Sequence, residues 1–120
     1  MTRSTARRYF LALRLAVGIT FTVAPAFAHR QWLGADPDGA VTTVPLRAMG
    51  ARDIALSVGA LISECRGHNA SSWFHAAAAA EGADALAVLA VRRALPSPAP
   101  ATAAVGPAIL AAIAAGLARP

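Results

Sequence analysis

The stretch LRAMGARDIAL, residues 46–56, places three charged side chains inside a long apolar run. The run extends from Pro45 to Cys65, which matches the length of about 20 residues that a helix needs to cross a bilayer. A charge at the centre of such a helix costs roughly 2.5 to 3.5 kcal/mol on insertion, so Arg52 and Asp53 require oppositely charged partners or water. The stretch therefore predicts a membrane helix that pairs its charges with neighbouring helices.

Three further apolar runs of similar length occupy residues 9–28, 72–91 and 100–118. Asp-Pro and Asp-Gly steps separate the first run from the run at 45–65, and three prolines separate the last two runs, all of which favour turns. The sequence lacks the alternating pattern of strands. It therefore predicts an all-α fold, a four-helix transmembrane bundle forming one domain over residues 1–120, with a loop at 29–44 and a Pro-rich turn at 94–100.

The composition favours a membrane location and argues against a nucleic-acid partner. Hydrophobic residues make up 57% of the chain and charged residues 14%, against about 25% charged in a typical soluble domain. All 11 basic residues are arginine and the net charge is +5, but the arginines are dispersed along the chain, whereas a nucleic-acid surface gathers them on one face. We expect the lipid bilayer as the main partner. Another membrane protein, a redox complex or a second copy of the chain remain open as further partners.

Arginine placement predicts the orientation, because arginine is enriched in cytoplasmic flanks. With the N-terminus inside, five flanking arginines lie on the cytoplasmic side and three on the other: Arg3, Arg7, Arg8, Arg66 and Arg119 against Arg30, Arg92 and Arg93. The prediction is a multi-pass protein of the bacterial inner membrane with both termini in the cytoplasm.

Six ionisable residues inside the runs form a predicted intramembrane ion-pair cluster whose charges sum to zero: Arg14, Arg47, Arg52, Asp53, Glu81 and Asp84. If the second and third helices form an antiparallel hairpin, Asp53 and Asp84 lie at the same depth, and Arg52 can reach both Glu81 and Asp84. A stripe of small and polar residues from Gly50 to Glu64 is expected to face the third helix. Arg14 either pairs with Glu81 or extends to the membrane surface.

The cluster has two interpretations. It fastens the helices and fixes their register, as buried polar groups do in some proteins, or it handles protons or ions, as carboxylates near a bilayer midplane do. No catalytic residue, metal site or cofactor is expected, because Cys65, His68 and His75 match no metal-binding spacing and nothing in the sequence places a catalytic set together. The sequence favours a non-enzymatic accessory or complex subunit, with a small transporter or proton-conducting module as the alternative.

The N-terminus also fits a second hypothesis, in which residues 1–28 are a cleaved signal peptide. Arg7 and Arg8 precede an apolar run that ends in Ala26-Phe27-Ala28, a small-x-small cleavage site preceded by a twin-arginine-like motif. The mature protein would then begin at His29 as an exported Ala-rich helical protein. Arg14, inside the apolar core of that signal, favours a retained helix instead.

The run from Leu46 to Leu56, together with residues 14–18, Ala24-Pro25 and Leu33-Gly34, resembles a family of small bacterial membrane proteins of unknown function, similar in layout to DoxX-like four-helix proteins. The Gly-Ala-Arg-Asp sequence at 50–53 carries most of this resemblance, which weakens after Arg93. Ser57 stands where relatives often have glycine. The resemblance implies an integral four-helix bundle and a membrane partner in a redox or stress-response complex, and it transfers no catalytic residue.

Overall fold

The computed structural model describes residues 1–33, 40–91, 93 and 99–119, and this part of the chain is helical without strands. The helices are α1 (Arg3–Val23), α2 (Pro25–Leu33), α3 (Ala40–Cys65), α4 (Ser71–Val91) and α5 (Ala99–Ala118). The predicted all-α class is confirmed. Arg92, most of the Pro-rich turn and residues 34–39 of the predicted loop lie outside the described residues. The rest of the predicted loop, residues 29–33 and 40–44, is helical.

The first apolar run is not one helix. The helix is interrupted at Ala24, and the direction of the chain changes by 116° between α1 and α2. Ala24 has φ −132° and ψ 58°, outside the helical region, as expected for a residue that precedes a proline. The prediction of a continuous helix over 9–28 is therefore wrong, and its last residues belong to a short helix that crosses the end of the bundle.

The helices pack as two pairs, α1 on α3 and α4 on α5, with a smaller contact between α3 and α4. Two glycines allow α1 and α3 to approach closely: a methyl group on Gly50 would lie 2.5 Å from the carbonyl oxygen of Gly18 and 2.5 Å from Oγ1 of Thr22. The prediction that the small and polar stripe of α3 faces α4 is wrong at Gly50. Gly50 lies against Gly18 of α1 instead, because two residues without side chains let the backbones of α1 and α3 touch.

An apolar cluster fills the end of the bundle that carries both chain termini. Its buried members come from four helices and the turn before α4: Phe10, Leu11, Ala60, Ala70, Phe74, Ala77, Ala114 and Ala118. The rings of Phe10 and Phe74 lie 6.0 Å apart, and the Arg7 guanidinium lies 5.0 Å from the centre of the Phe74 ring. Arg7 also donates to the carbonyl oxygen of Leu117 at 2.7 Å, which ties the start of α1 to the end of α5.

Among the residues that the structure describes, α4 alone is long and apolar enough to cross a membrane, and α1 with α2 adds a second crossing if the bent pair is one broken span. The apolar part of α5, Ala103–Ala118, is shorter than a typical span, and α3 carries four charged residues. Length and composition therefore support fewer spans than the four predicted.

Candidate functional site

The candidate site is an ionic network at the centre of the bundle, and Arg14 of α1 is its most buried member. The side chain of Arg14 is 1% exposed. Its Nη2 donates to Oδ1 of Asp53 on α3 at 2.6 Å, and its Nη1 donates to Oε1 of Glu81 on α4 at 2.5 Å. One planar guanidinium thereby joins three helices, because arginine presents several N–H donors in a fixed fork.

Arg52 of α3 extends the network outward. Its Nη1 and Nη2 donate to the two carboxylate oxygens of Asp84 at 3.0 and 2.7 Å, a bidentate pair between α3 and α4. Nη2 also donates to Oδ1 of Asp53 at 3.0 Å. The five side chains form one continuous series in the order Glu81, Arg14, Asp53, Arg52, Asp84.

The members of this network differ in exposure. The Glu81 side chain is 6% exposed, whereas that of Arg52 is 32% exposed. Charges removed from water are tolerated only when paired with good geometry, and the most buried charge, Arg14, has the shortest contacts. The network holds three carboxylates and two guanidinium groups, so with every group ionised it carries one negative charge in excess.

A cavity of about 170 Å³ borders the network on the side of α2 and α5. The three network carboxylates line it together with apolar side chains: Val17, Phe21, Trp32, Met49, Pro107 and Leu110, with Gly106 completing the wall. The rings of Phe21 and Trp32 lie 5.7 Å apart. Nε1 of Trp32 donates to the carbonyl oxygen of Ala103 at 2.7 Å, which fastens α2 to α5 beside the cavity.

Five of the six residues predicted for the ion-pair cluster lie together in this network, and Arg47 does not. Arg47 is exposed on α3 and forms no hydrogen bond with the network in the described part of the chain. Arg52 contacts Asp84 as the hairpin register predicts, but Glu81 bonds to Arg14 rather than to Arg52. The reason is that α3 faces α1 at this level, so Arg14 lies between the carboxylates of α3 and α4.

Sequence reasoning missed the cavity and its aromatic wall. Phe21 and Trp32 come together because the chain bends at Ala24, and the Ala24-Pro25 step was the available signal. It also missed the pair between Arg7 Nη1 and Glu64 Oε1, 3.6 Å apart near the termini. Nothing in the spacing of these residues along the chain indicates that they meet.

Two buried polar atoms near the network have no hydrogen-bond partner among the described residues, Nε of Arg14 and Oγ of Ser57. Ser57 lies one turn after Asp53 and is fully buried. No group of three or more His, Cys, Asp and Glu side chains in the described ranges could hold a metal ion. The arrangement is suited to joining helices and, through its excess carboxylate, to attracting a cation or a proton.

No family model matches the chain, no curated protein matches its sequence, and no solved structure matches its fold.

Proposed function

We propose that the chain is a small integral membrane protein of the bacterial inner membrane, a helical bundle held together by the buried ionic network, and that it acts as a non-enzymatic accessory subunit of a membrane complex. The observation that carries this proposal is the distribution of polarity. Arg14, Asp53 and Glu81 are buried, while large apolar side chains project outward on several helices: Leu13, Ile19, Val23, Leu86, Val105, Ile109 and Ile113.

This distribution suits lipid better than water. A domain folded in water leaves nearly all of its charged side chains exposed, whereas polar groups inside a membrane face the bundle interior and pair with one another. Leu86 is 68% exposed and lies on α4, the helix that is long and apolar enough to cross a membrane. The exposed apolar faces are the surfaces that lipid and a partner protein would cover.

The arginine-rich end of the bundle supports an orientation with both termini in the cytoplasm. Arg3 donates to the carbonyl oxygen of Gly116 and Arg7 to that of Leu117, so the start of α1 lies beside the end of α5. Arg66 directly follows α3 at this same end, where Glu64 pairs with Arg7. An end enriched in arginine is typical of the cytoplasmic side.

The network also supports retention of residues 1–28. Cleavage after Ala28 would remove Arg14 and leave Asp53 and Glu81 buried with fewer cationic partners. Stranding a buried charge is strongly destabilising, so the fold described here depends on α1 remaining attached.

The proposed non-enzymatic role is compatible with the chemistry of the network, in which the carboxylates and guanidinium groups are bonded to one another. The proposal includes the relationship with DoxX-like proteins, since the residues on which that resemblance rests include Gly50, Arg52 and Asp53. These are residues of the close helix contact and of the network.

Alkaline carbonate extraction of membranes from cells expressing the full chain tests the location. The mass of the recovered protein tests whether residues 1–28 are retained. We expect the chain to remain in the membrane pellet with residues 1–28 attached. A soluble product that begins at His29 would overturn the proposal in favour of the exported protein.

The single cysteine tests the orientation. Cys65 is exposed at the end of α3, on the side assigned to the cytoplasm, so a membrane-impermeant maleimide should label it in inverted vesicles and not in intact spheroplasts. The matched control is Gln31→Cys in a Cys65→Ser background, which should show the opposite pattern because Gln31 is exposed on α2 near the other end. Labelling of both positions from the same side would contradict the proposed arrangement.

A further inference from the structure

The cavity beside the network has the size and lining of a small-molecule site. Its volume of about 170 Å³ is close to the roughly 150 Å³ of an engineered apolar cavity that binds benzene. Most of its wall is apolar, contributed by Val17, Met49 and Leu110 among others. A few convergent polar groups in an apolar pocket are the usual composition of a ligand site.

The polar part of the wall is negative. Glu81 uses Oε1 to accept from Arg14, its side chain is only 6% exposed, and it lines the cavity. Asp53 and Asp84 line the same cavity. Since the network has one carboxylate more than it has guanidinium groups, a cation in the cavity would balance the charge.

An aromatic pair lies in the wall of the same cavity. Phe21 and Trp32 approach at 5.7 Å with their planes inclined by 60°, and the hydrogen bond from Trp32 to Ala103 fixes the indole. Aromatic faces attract ammonium groups, most strongly when the cation is shielded from water. The carboxylate and the rings therefore favour the same kind of ligand.

The depth of the cavity separates a free cation from a lipid headgroup. Glu81 lies at the midpoint of α4, about 15 Å from either end of that helix at 1.5 Å per residue. A headgroup lies at the membrane surface, near a helix end, whereas an apolar cation can enter the middle of a bundle.

We propose that this cavity binds a small organic cation with an apolar body, such as a substituted ammonium that carries one ring, with its charge beside the carboxylate of Glu81 and its body against Phe21 and Trp32. The inference goes beyond the proposed accessory role. Its evidence for a bound cation is the network and the cavity, so carbonate extraction and ligand binding can fail independently.

Two probes of matched shape test it, phenyltrimethylammonium and its neutral isostere tert-butylbenzene. The full chain is purified in a non-ionic detergent with Trp73→Phe, so that Trp32 is the fluorescent reporter. We expect the cation to change Trp32 emission saturably and to bind at least tenfold more tightly than the neutral compound. Equal binding of the two probes, or no saturable binding of the cation, overturns the proposal.

Vesicles containing phosphatidylcholine test the lipid headgroup as the occupant. They should give no saturable change in Trp32 emission in the absence of the cation. Such a change would assign the site to a lipid headgroup and overturn the proposal as well.

Two pairs of variants localise the site. Glu81→Gln removes the carboxylate that is proposed to hold the cation. Glu64→Gln removes a carboxylate that is paired with Arg7 outside the cavity. Gly106→Leu adds a side chain at a residue of the cavity wall, where a Cβ meets no atom within 4 Å, and Gly116→Leu makes the same change on α5 outside the cavity, where a Cβ also meets none.

We expect Glu81→Gln and Gly106→Leu each to weaken cation binding at least tenfold, and their controls to change it less than twofold. If Glu81→Gln loses its helical circular dichroism, Gly106→Leu decides the question alone. Binding that is unchanged in Gly106→Leu, or weakened equally in all four variants, would place the cation elsewhere and overturn the proposal.

Discussion

Two regions of the bundle lie one turn apart on α1 and are stabilised in different ways. Phe10 and Leu11 belong to the apolar cluster near the chain termini, and Arg14 belongs to the ionic network at the centre. The apolar cluster depends on volume and area, which have no preferred direction. The network depends on the direction of each donor and acceptor, and removing one member leaves another charge without its partner.

The difference shows how a small Ala-rich bundle can be specific. Apolar packing between alanine-rich helices permits several registers, because small side chains fill the interface in more than one way. The network permits one register only, since Arg14 meets Asp53 and Glu81 at the same time. We infer that the apolar cluster supplies bulk stability and that the network selects the arrangement of α1, α3 and α4.

Arg14→Met should have the largest effect on this comparison. Methionine keeps much of the side-chain volume but leaves Asp53 and Glu81 without their shared cation, and breaking a buried ion pair costs about 3 to 5 kcal/mol. We expect a large fall in the midpoint of thermal unfolding, followed by circular dichroism in non-ionic detergent, and a lower protein level in membranes.

The triple variant Arg14→Met, Asp53→Asn, Glu81→Gln separates a stranded charge from a simple loss of packing. Neutral amides remove the charges that the arginine balanced, so part of the lost stability should return. A triple variant no more stable than Arg14→Met alone would show that the network is not held by charge pairing.

Gly50→Ala should have the next largest effect, because it tests how closely α1 and α3 approach. The added methyl group would overlap the backbone of Gly18, and forced overpacking costs about 1 to 3 kcal/mol. Gly82→Ala is the matched control on α4, where a methyl group meets no atom within 4 Å and improves helix propensity. We expect Gly82→Ala to raise the unfolding midpoint and Gly50→Ala to lower it. A Gly50→Ala variant as stable as its control would mean that the two helices are farther apart.

Phe74→Leu should have a smaller effect, because it changes the apolar cluster without leaving a charge unpaired. Phe74 is fully buried, and a hydrophobic substitution of similar size costs less than about 1.5 kcal/mol. The loss of the Arg7 contact with the ring adds to this. If thermal unfolding shows Phe74→Leu to be as damaging as Arg14→Met, the contrast between the two regions is wrong.

The sequence was sufficient for the all-α class and for most of the network because both follow from local rules. Charged residues inside apolar runs must be paired, and this requirement alone brought Arg14, Arg52 and Glu81 into one predicted cluster. The bounds of α4 and α5 also agree with the prediction to within one residue, since serines precede the first of these runs and prolines separate the two.

The pairing could be predicted only in part, because it depends on which helices are neighbours. The pair between Arg52 and Asp84 was predicted, and Arg14 with Glu81 was one of two alternatives. The pair between Arg14 and Asp53 was not predicted. Assuming that successive helices pack together gave Arg52 a contact with Glu81, but the glycines at 18 and 50 bring α1 against α3 and place Arg14 there instead. The cavity was missed for a related reason, since Trp32 reaches its wall only after the bend at Ala24. Arg47 shows the limit of the pairing rule, because it is exposed on α3 and lies outside the network.

Ser57→Ala should have the smallest effect, and one of opposite sign. Ser57 lies between the two regions, one turn from Asp53 and one turn from Ala60 of the apolar cluster, and its buried hydroxyl has no hydrogen-bond partner among the described residues. Removing an unsatisfied buried hydroxyl relieves a desolvation penalty of about 1 to 3 kcal/mol, part of which the lost packing of the oxygen offsets.

The matched control is Ser63→Ala on the same helix, because Oγ of Ser63 accepts a hydrogen bond from Nε1 of Trp73 at 2.9 Å. We expect Ser57→Ala to raise the unfolding midpoint slightly and Ser63→Ala to lower it. A loss of stability in Ser57→Ala would mean that the hydroxyl has a partner in the folded protein. The boundary between the two regions would then be polar, and the ionic network would extend one turn further toward the chain termini.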